Sequence, residues 1–288
     1  IRVGRAHVHT GRSVANTGLA LKILGADVQL IGKIGNDAFG MMIRQILRQH
    51  GVEGVIVDER GGTSYSIVIA VPGIDRIFLH HPGVNDTFSN KDIPEAALED
   101  AVIFHFGYPP LMKSMYENEG RELLTLFRRV KEKGISTSLD FSSIDPNSAA
   151  GRADWKKILS VILPYVDFFV PSFEELCYML DRDKYKTLAA SGKDMTELIR
   201  IDKDVKPLAE KLLEMGCKII LIKCGVTGMY YQTASGSILE KTGVRLGLNI
   251  EEWKNRSGFQ PCFEADAVLS ATGAGDTSIA AFLASVLR

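Results

Sequence analysis

Amphipathic helical stripes alternate with short β-rich runs along most of this chain, and that alternation is what most narrows its possible folds. Leu123, Leu126, Phe127 and Val130 recur at helical spacing, Gly134 closes the helix, and Ile135 to Asp140 follows as a strand. Val166 to Val170 is a strand with its helix at Glu174 to Leu180. Val205, Leu208, Ala209 and Leu212 mark a further helix, stopped by Gly216 and followed by a strand at Lys218 to Ile222. Val102 to Phe106 is another strand, and Asp27 to Gly32 reads as one behind a helix ending near Gly25. This rhythm predicts an α/β fold, a mostly parallel sheet covered by helices on both faces. Ligands of such sheets bind at the carboxyl ends of the strands.

The rhythm breaks near the amino terminus. Arg2 to His9, Gly54 to Asp58, Thr63 to Val71 and Arg76 to His81 are β-like, with no helix among the last three. Tyr65, Ile67, Ile69 and Val71 alternate onto one face and Ser64 and Ser66 onto the other. These runs, from about residues 1–10 and 54–81, predict a small antiparallel sheet projecting from the main body. Such a sheet cannot bury both faces by itself. It is expected to cover the active site, a second subunit, or both.

Composition removes several function classes. The 288 residues suffice for one large domain with an appendage or for two modest ones, and 45% hydrophobic content allows a substantial core. Lys and Arg (34) nearly balance Asp and Glu (35), which argues against a dedicated nucleic-acid or membrane partner. Cys177, Cys217, Cys224 and Cys262 are widely spaced, with no pair at metal-ligand separation, so reduced thiols and a cytoplasmic location are expected. No apolar run is long enough for a bilayer, and no signal peptide is visible, although the chain starts at Ile1 rather than Met and so leaves targeting open.

Chemistry concentrates in a few segments. Ser270-Ala271-Thr272-Gly273-Ala274-Gly275-Asp276 runs into a helix from Thr277 to Leu287 with an apolar face of Ile279, Phe282, Leu283 and Val286. A small-residue loop entering a helix suits an anion, because backbone comes close and the first-turn N–H groups point outward. A carboxylate at Asp276 is electrostatically odd there unless it takes a proton from an attacking hydroxyl; the bland reading is a capping Asp in a Gly-rich turn. Gly11-Arg12-Ser13-Val14-Ala15-Asn16 leads into a helix, Thr17 to Leu24; Asn16 either binds hydroxyls or simply caps. In Gly32-Lys33-Ile34-Gly35-Asn36-Asp37, Gly35 and Asp37 suit a tight turn and a helix cap as well as they suit binding. Glu175, after Ser172, sits where it can hold a metal-bound water or stand as a solvated helix carboxylate. Lys223, Gly225 and Gly228 follow the next strand, as a nucleotide loop or a plain turn.

Together, in this order, these segments resemble the ribokinase-like carbohydrate kinase family of the phosphofructokinase B type. The resemblance implies a three-layer α/β/α fold with a β lid. It implies ATP-dependent phosphorylation of a hydroxyl on a small sugar or sugar derivative. In it Asp276 is the general base, the amides of Gly273, Ala274 and Gly275 hold the moving phosphate, and Gly11, Arg12, Asn16, Gly35 and Asp37 bind the acceptor. Ser172, Lys223, Gly225 and Gly228 line the nucleotide, and Glu175 positions Mg²⁺ through water. A homodimer paired through the lid is also implied.

Departures qualify that picture. Arg12 stands where the family has a second glycine; it either meets an anionic acceptor or, the favoured reading, points to solvent. Ser172 replaces the usual Asn, and Ser270-Ala271 replaces the Asp-Thr that accompanies a monovalent-cation site, leaving that cation uncertain. The family's first strand and closing helices lie outside Ile1 to Arg288, so the chain is read as incomplete at both ends. His80 and His81, at the end of a lid run, and His7 and His9 on another read as surface or interface residues; Asp140 has at most a minor role near phosphates. A nucleoside kinase, with Tyr65 and Phe78 forming a base pocket, is the nearest alternative. A catalytically silent sugar-responsive protein is the other.

Overall fold

The computed structural model describes residues 4–5, 7–52, 54–69, 77–264, 266 and 273–288. They fall into two compact units, Ile1–Val84 with Ser270–Arg288, and Asn85–Leu269.

The first unit contains α1 (Arg12–Ile23), β1 (Gly32–Gly35), α2 (Ala38–Gln49), β2 (Val55–Asp58), β3 (Tyr65–Ile69), β4 (Ile77–His81) and the C-terminal helix, Ala274–Val286. Its core is built on Leu30, Leu47 and Val52, against which Val14, Leu19, Val28, Ile43 and Val55 pack. The C-terminal helix lies on α1 and buries Ile279, Ala280, Leu283 and Ala284. Asp37 caps α2: its Oδ1 accepts from the Gly40 amide at 2.8 Å and from Thr63 Oγ1 at 2.7 Å, while Oδ2 accepts from the Thr63 amide at 2.7 Å. One side chain thereby ends a turn and ties it to a loop 26 residues on. The Thr63 bonds hold the Asp37 carboxyl below its usual range.

The small sheet is narrower than the β-like runs suggest. Among the described residues only β3 and β4 form it, as an antiparallel hairpin with Ile67 opposite Leu79 and Val68 opposite Phe78. Val55–Asp58 instead pairs in parallel with β1, because Val55 is drawn into the Leu30 core. The described residues before Thr10 form no strand. The strand expected at Asp27 to Gly32 starts later: Val28 and Leu30 pass extended into the core, and pairing with β2 begins at Gly32.

The second unit carries the main sheet. In chain order it contains β5 (Ile103–Phe106), α3 (Arg121–Glu132), β6 (Ser136–Leu139), α4 (Trp155–Ile162), β7 (Phe168–Phe169), α5 (Phe173–Leu180), α6 (Lys206–Glu214), β8 (Ile219–Lys223), β9 (Gly228–Thr233) and β10 (Ser257–Pro261). Spatial order is β10-β9-β8-β7-β6-β5, parallel from β5 to β8 and antiparallel at β9 and β10. The antiparallel pair is not marked in the sequence, where residues 240 to 262 read as irregular. α3 and β6 to β8 bury their apolar residues almost completely, which is the pattern of strands covered on both faces. At the amino edge, buried Asp167 accepts from Lys131 Nζ at 2.8 Å and from the Thr137 and Gly243 amides at 3.0 and 3.2 Å. Among the described residues no helix is long and apolar enough to cross a membrane.

Replacing Asp37 by Ala should lower the unfolding free energy by about 1–2 kcal/mol at neutral pH, measured by denaturant titration. A carboxylate with a depressed folded pKa stabilises above its unfolded value and loses that effect as pH falls through the folded value. The deficit of the variant should therefore shrink below about pH 4; a deficit independent of pH would show that the charge plays no part.

Candidate active site

In the first unit the central group is Asp276. It is the third residue of the C-terminal helix, not the residue before it, because Gly273 takes the cap position at φ 78° and the helix opens at Ala274. Asp276 Oδ2 accepts from Asn16 Nδ2 at 2.9 Å, and Oδ1 accepts from Thr17 Oγ1 at 3.2 Å. The residue is 8% exposed, and each of its carboxylate oxygens meets a polar donor. The helical ladder begins with the Thr277 amide bonding the Gly273 carbonyl at 2.9 Å. The amides of Gly273, Ala274 and Gly275 precede that ladder at the helix start, which is the geometry that receives an anion.

α1 also starts earlier than its sequence pattern suggests. Gly11 is its extended cap and Arg12 its first residue, at φ 67°. Asn16 thus sits one turn inside the helix. Arg12 is half-buried and does not simply point to solvent: its Nη2 lies 2.9 Å from Nδ1 and 3.0 Å from Nε2 of His80 on β4. Gly35 and Asp37 have structural work to do. A Cβ at Gly35 would stand 2.3 Å from the Gly61 carbonyl oxygen, and both Asp37 oxygens face Thr63.

The second unit gathers its polar groups at the carboxyl edge of the parallel strands. Asp140 follows β6, Ser172 precedes α5 after β7, and Lys223 ends β8. A parallel bridge between Ser172 and Lys223 continues the β7–β8 register to this edge. Lys223 Nζ donates to Asp140 Oδ1 at 2.7 Å. Asp140 Oδ2 is buried and has no hydrogen-bond partner among the described residues. Burial raises the Asp140 carboxyl to about 7, Lys223 opposes the rise, and the negative charge of Glu175 adds to it.

Ser172 and Glu175 form a capping box. Ser172 Oγ accepts from the Glu175 amide at 3.2 Å, and Glu175 Oε2 accepts from the Ser172 amide at 2.8 Å. Glu175 is buried rather than solvated. The Ser-x-x-Glu spacing carries that signal in the sequence. Asp140 is the residue whose weight the sequence understated; its only mark there is its place at the end of a strand. Gly228 takes φ 138°, and a Cβ there would stand 2.2 Å from the Gln260 carbonyl oxygen, so the β9–β10 pairing itself demands glycine. Gly225, at φ 58°, faces Thr196. The expected cation position at Ser270-Ala271 lies outside the described residues.

A buried carboxylate oxygen without a partner, beside a lysine and a second carboxylate, is a donor set that fits Mg²⁺ bound together with phosphates. Mg²⁺ typically takes one or two carboxylates and keeps its remaining positions for water and phosphate oxygens. Among the described residues no group of three or more His, Cys, Asp or Glu is placed to hold a metal ion.

Comparison with known proteins gives this architecture its class. A fructokinase with bound ATP from Xylella fastidiosa superposes with a TM-score of 0.70 at 21% identity, covering 96% of this chain and 73% of that one. A ribokinase from Giardia lamblia superposes at 0.65 with 18% identity, covering 94% and 70%. The fold is ribokinase-like. The model of the pfkB family of carbohydrate kinases matches residues 1–288, and the chain belongs to that family. It is a carbohydrate kinase and uses ATP. Probable fructokinase-4 of Arabidopsis thaliana is 25% identical over 281 residues, 96% of this chain and 73% of that protein. An ATP-dependent ribose-1-phosphate kinase of Halopiger xanaduensis is 25% identical over 279 residues, again 96% and 73%.

Removing the Lys223 charge as Lys223→Met should push the Asp140 pKa further up. A carboxyl with a raised folded pKa loses stability as pH climbs from its unfolded to its folded value. The variant should therefore unfold almost like the parent at pH 5, where Asp140 is protonated in both, and show a growing deficit from pH 6 to 8. Parallel stability curves across that range would refute the pairing.

Proposed function

We propose that the chain transfers the γ-phosphoryl group of ATP to a hydroxyl of a small sugar or sugar derivative, with Asp276 as general base. The observation that carries this reading is the Asp276 carboxylate, nearly buried in a helix first turn and held by Asn16 and Thr17. Both donors fix the direction of the carboxylate, as a general base that must meet a hydroxyl requires. The amides of Gly273, Ala274 and Gly275 receive the charge that develops on the transferring group. Asn16 and the Gly11 loop hold the acceptor. Asp140 and Glu175 would hold Mg²⁺, the latter through water, and the ion so held would supply charge neutralisation to the phosphates. Lys223 bridges Asp140 and the nucleotide phosphates, and the Gly225–Gly228 turn offers backbone to the nucleotide. The assignment of Gly35 and Asp37 to the acceptor has less support, since their geometry already serves the turn.

The nucleoside alternative loses its main argument. Tyr65 pairs with His81 and Phe78 with Val68, so the two aromatic rings leave opposite faces of the hairpin. Tyr65 instead stacks on Phe39 at 4.9 Å.

The hairpin supports pairing with a second copy. Ile67, Phe78 and Leu79 are 51%, 58% and 52% exposed, more apolar surface than a lone hairpin carries without cost. Ile67→Glu with Leu79→Glu should convert a dimer into monomers in light scattering; a parent that is already monomeric would remove this part.

Asp276→Asn should lower turnover by about two to four orders of magnitude while ATP binding, followed by calorimetry, persists. Near-normal turnover would exclude Asp276 as base. Absence of ADP release from the parent with any sugar would favour a silent binding protein.

A further inference from the structure

The geometry points to Arg12 as the residue that selects acceptors bearing an anionic group, a carboxylate or a phosphate ester, remote from the reacting hydroxyl. The inference rests on the kinase reading of Asp276. Arg12 and Asn16 are four residues apart on α1 and so share a face. Asn16 Nδ2 touches Asp276 Oδ2 at 2.9 Å. Arg12 therefore stands about one helical turn, about 5 Å, from the base-holding residue along α1. An acceptor with one hydroxyl at Asp276 and its body lying along the helix brings its far end to Arg12.

Three features make that position suited to an anion. First, Arg12 takes φ 67°, a backbone region that penalises a side chain and that glycine enters freely. Strain of this kind persists where the side chain performs a task. Second, the His80 ring orients the guanidinium. Arg12 Nη2 lies 2.9 Å from Nδ1 and 3.0 Å from Nε2 of His80, whose Nδ1 is itself 2.9 Å from the Tyr65 carbonyl oxygen and 3.1 Å from Ser66 Oγ, so the ring is pinned to its own hairpin and meets the guanidinium tip. Third, α1 has Gly11 as its cap with no side-chain cap bond and no acidic residue in its first turn, so its positive dipole end adds to the same field. A planar fork of N–H donors matches both carboxylate and phosphate oxygens.

The test is ADP release by the whole chain with fructose and glucose as neutral acceptors, gluconate as the carboxylate and fructose 6-phosphate as the phosphate. One anionic acceptor should exceed both neutral sugars in kcat/KM, and which one wins tells carboxylate from phosphate. Arg12→Gly, which relieves the backbone, should lower the anionic-to-neutral ratio about 10- to 100-fold. Arg12→Lys should restore part of that ratio. Raised salt should increase KM for the anionic acceptor selectively. Neutral sugars scoring best, or Arg12→Gly weakening all acceptors equally as loss of a simple hairpin tether would, overturns the inference and leaves the kinase reading standing. No ADP release with any acceptor, despite ATP binding by calorimetry, overturns both.

Discussion

Two hydrogen bonds join residues some 260 positions apart in the chain: Asn16 and Thr17 of α1 each donate to Asp276 of the C-terminal helix. A carboxylate this buried is costly unless its charge is met by donors. Here the donors come from a helix whose apolar side already packs against the Leu30 core, so core packing sets where the carboxylate points. The small residues Ala280 and Ala284 on the C-terminal helix are buried where it meets α1. The base role proposed for Asp276 depends on that packing, because a carboxylate displaced by an ångström would no longer meet a hydroxyl.

The second unit solves a different problem, namely how to keep charge at the end of a sheet that is otherwise dry. Asp140 sits where burial opposes ionisation, and Lys223 supplies the opposing charge from the next strand but one. Ser172 and Glu175 satisfy each other's backbone amides at the helix start, which leaves Glu175 rigid beside that pair. The serine thus keeps the cap that an asparagine would also provide. At the opposite edge Asp167 is buried among lysines and amides that meet its charge, whereas among the described residues Asp140 at the carboxyl edge keeps a buried carboxylate oxygen without a hydrogen-bond partner.

Local pattern revealed much of this architecture. α3, β6, α5 and α6 were readable from apolar spacing and from Gly134 and Gly216, because each element buries one continuous stripe. Asp276, Asn16, Glu175 and Lys223 stood out by motif order. Three things were less legible. Val55–Asp58 has the composition of a hairpin strand, yet the Leu30 core claims Val55 and sends the segment into a parallel pair. β9 and β10 lack a strong alternating pattern, and β10 includes Gly258 and Pro261, residues that weaken any strand reading. Asp140 carries no motif of its own; its importance arises from Lys223, 83 residues later.

The sequence by itself determined the fold class, the family and the order of the chemical segments, since hydrophobic period and small-residue loops are local properties. The tertiary structure decided which of those segments have their polar atoms already engaged. Asp37 turned out to clasp Thr63, Arg12 to bend toward His80, and Asp140 to keep one oxygen without a partner among the described residues. Side-chain direction and desolvation depend on neighbours far along the chain, and no local pattern encodes them.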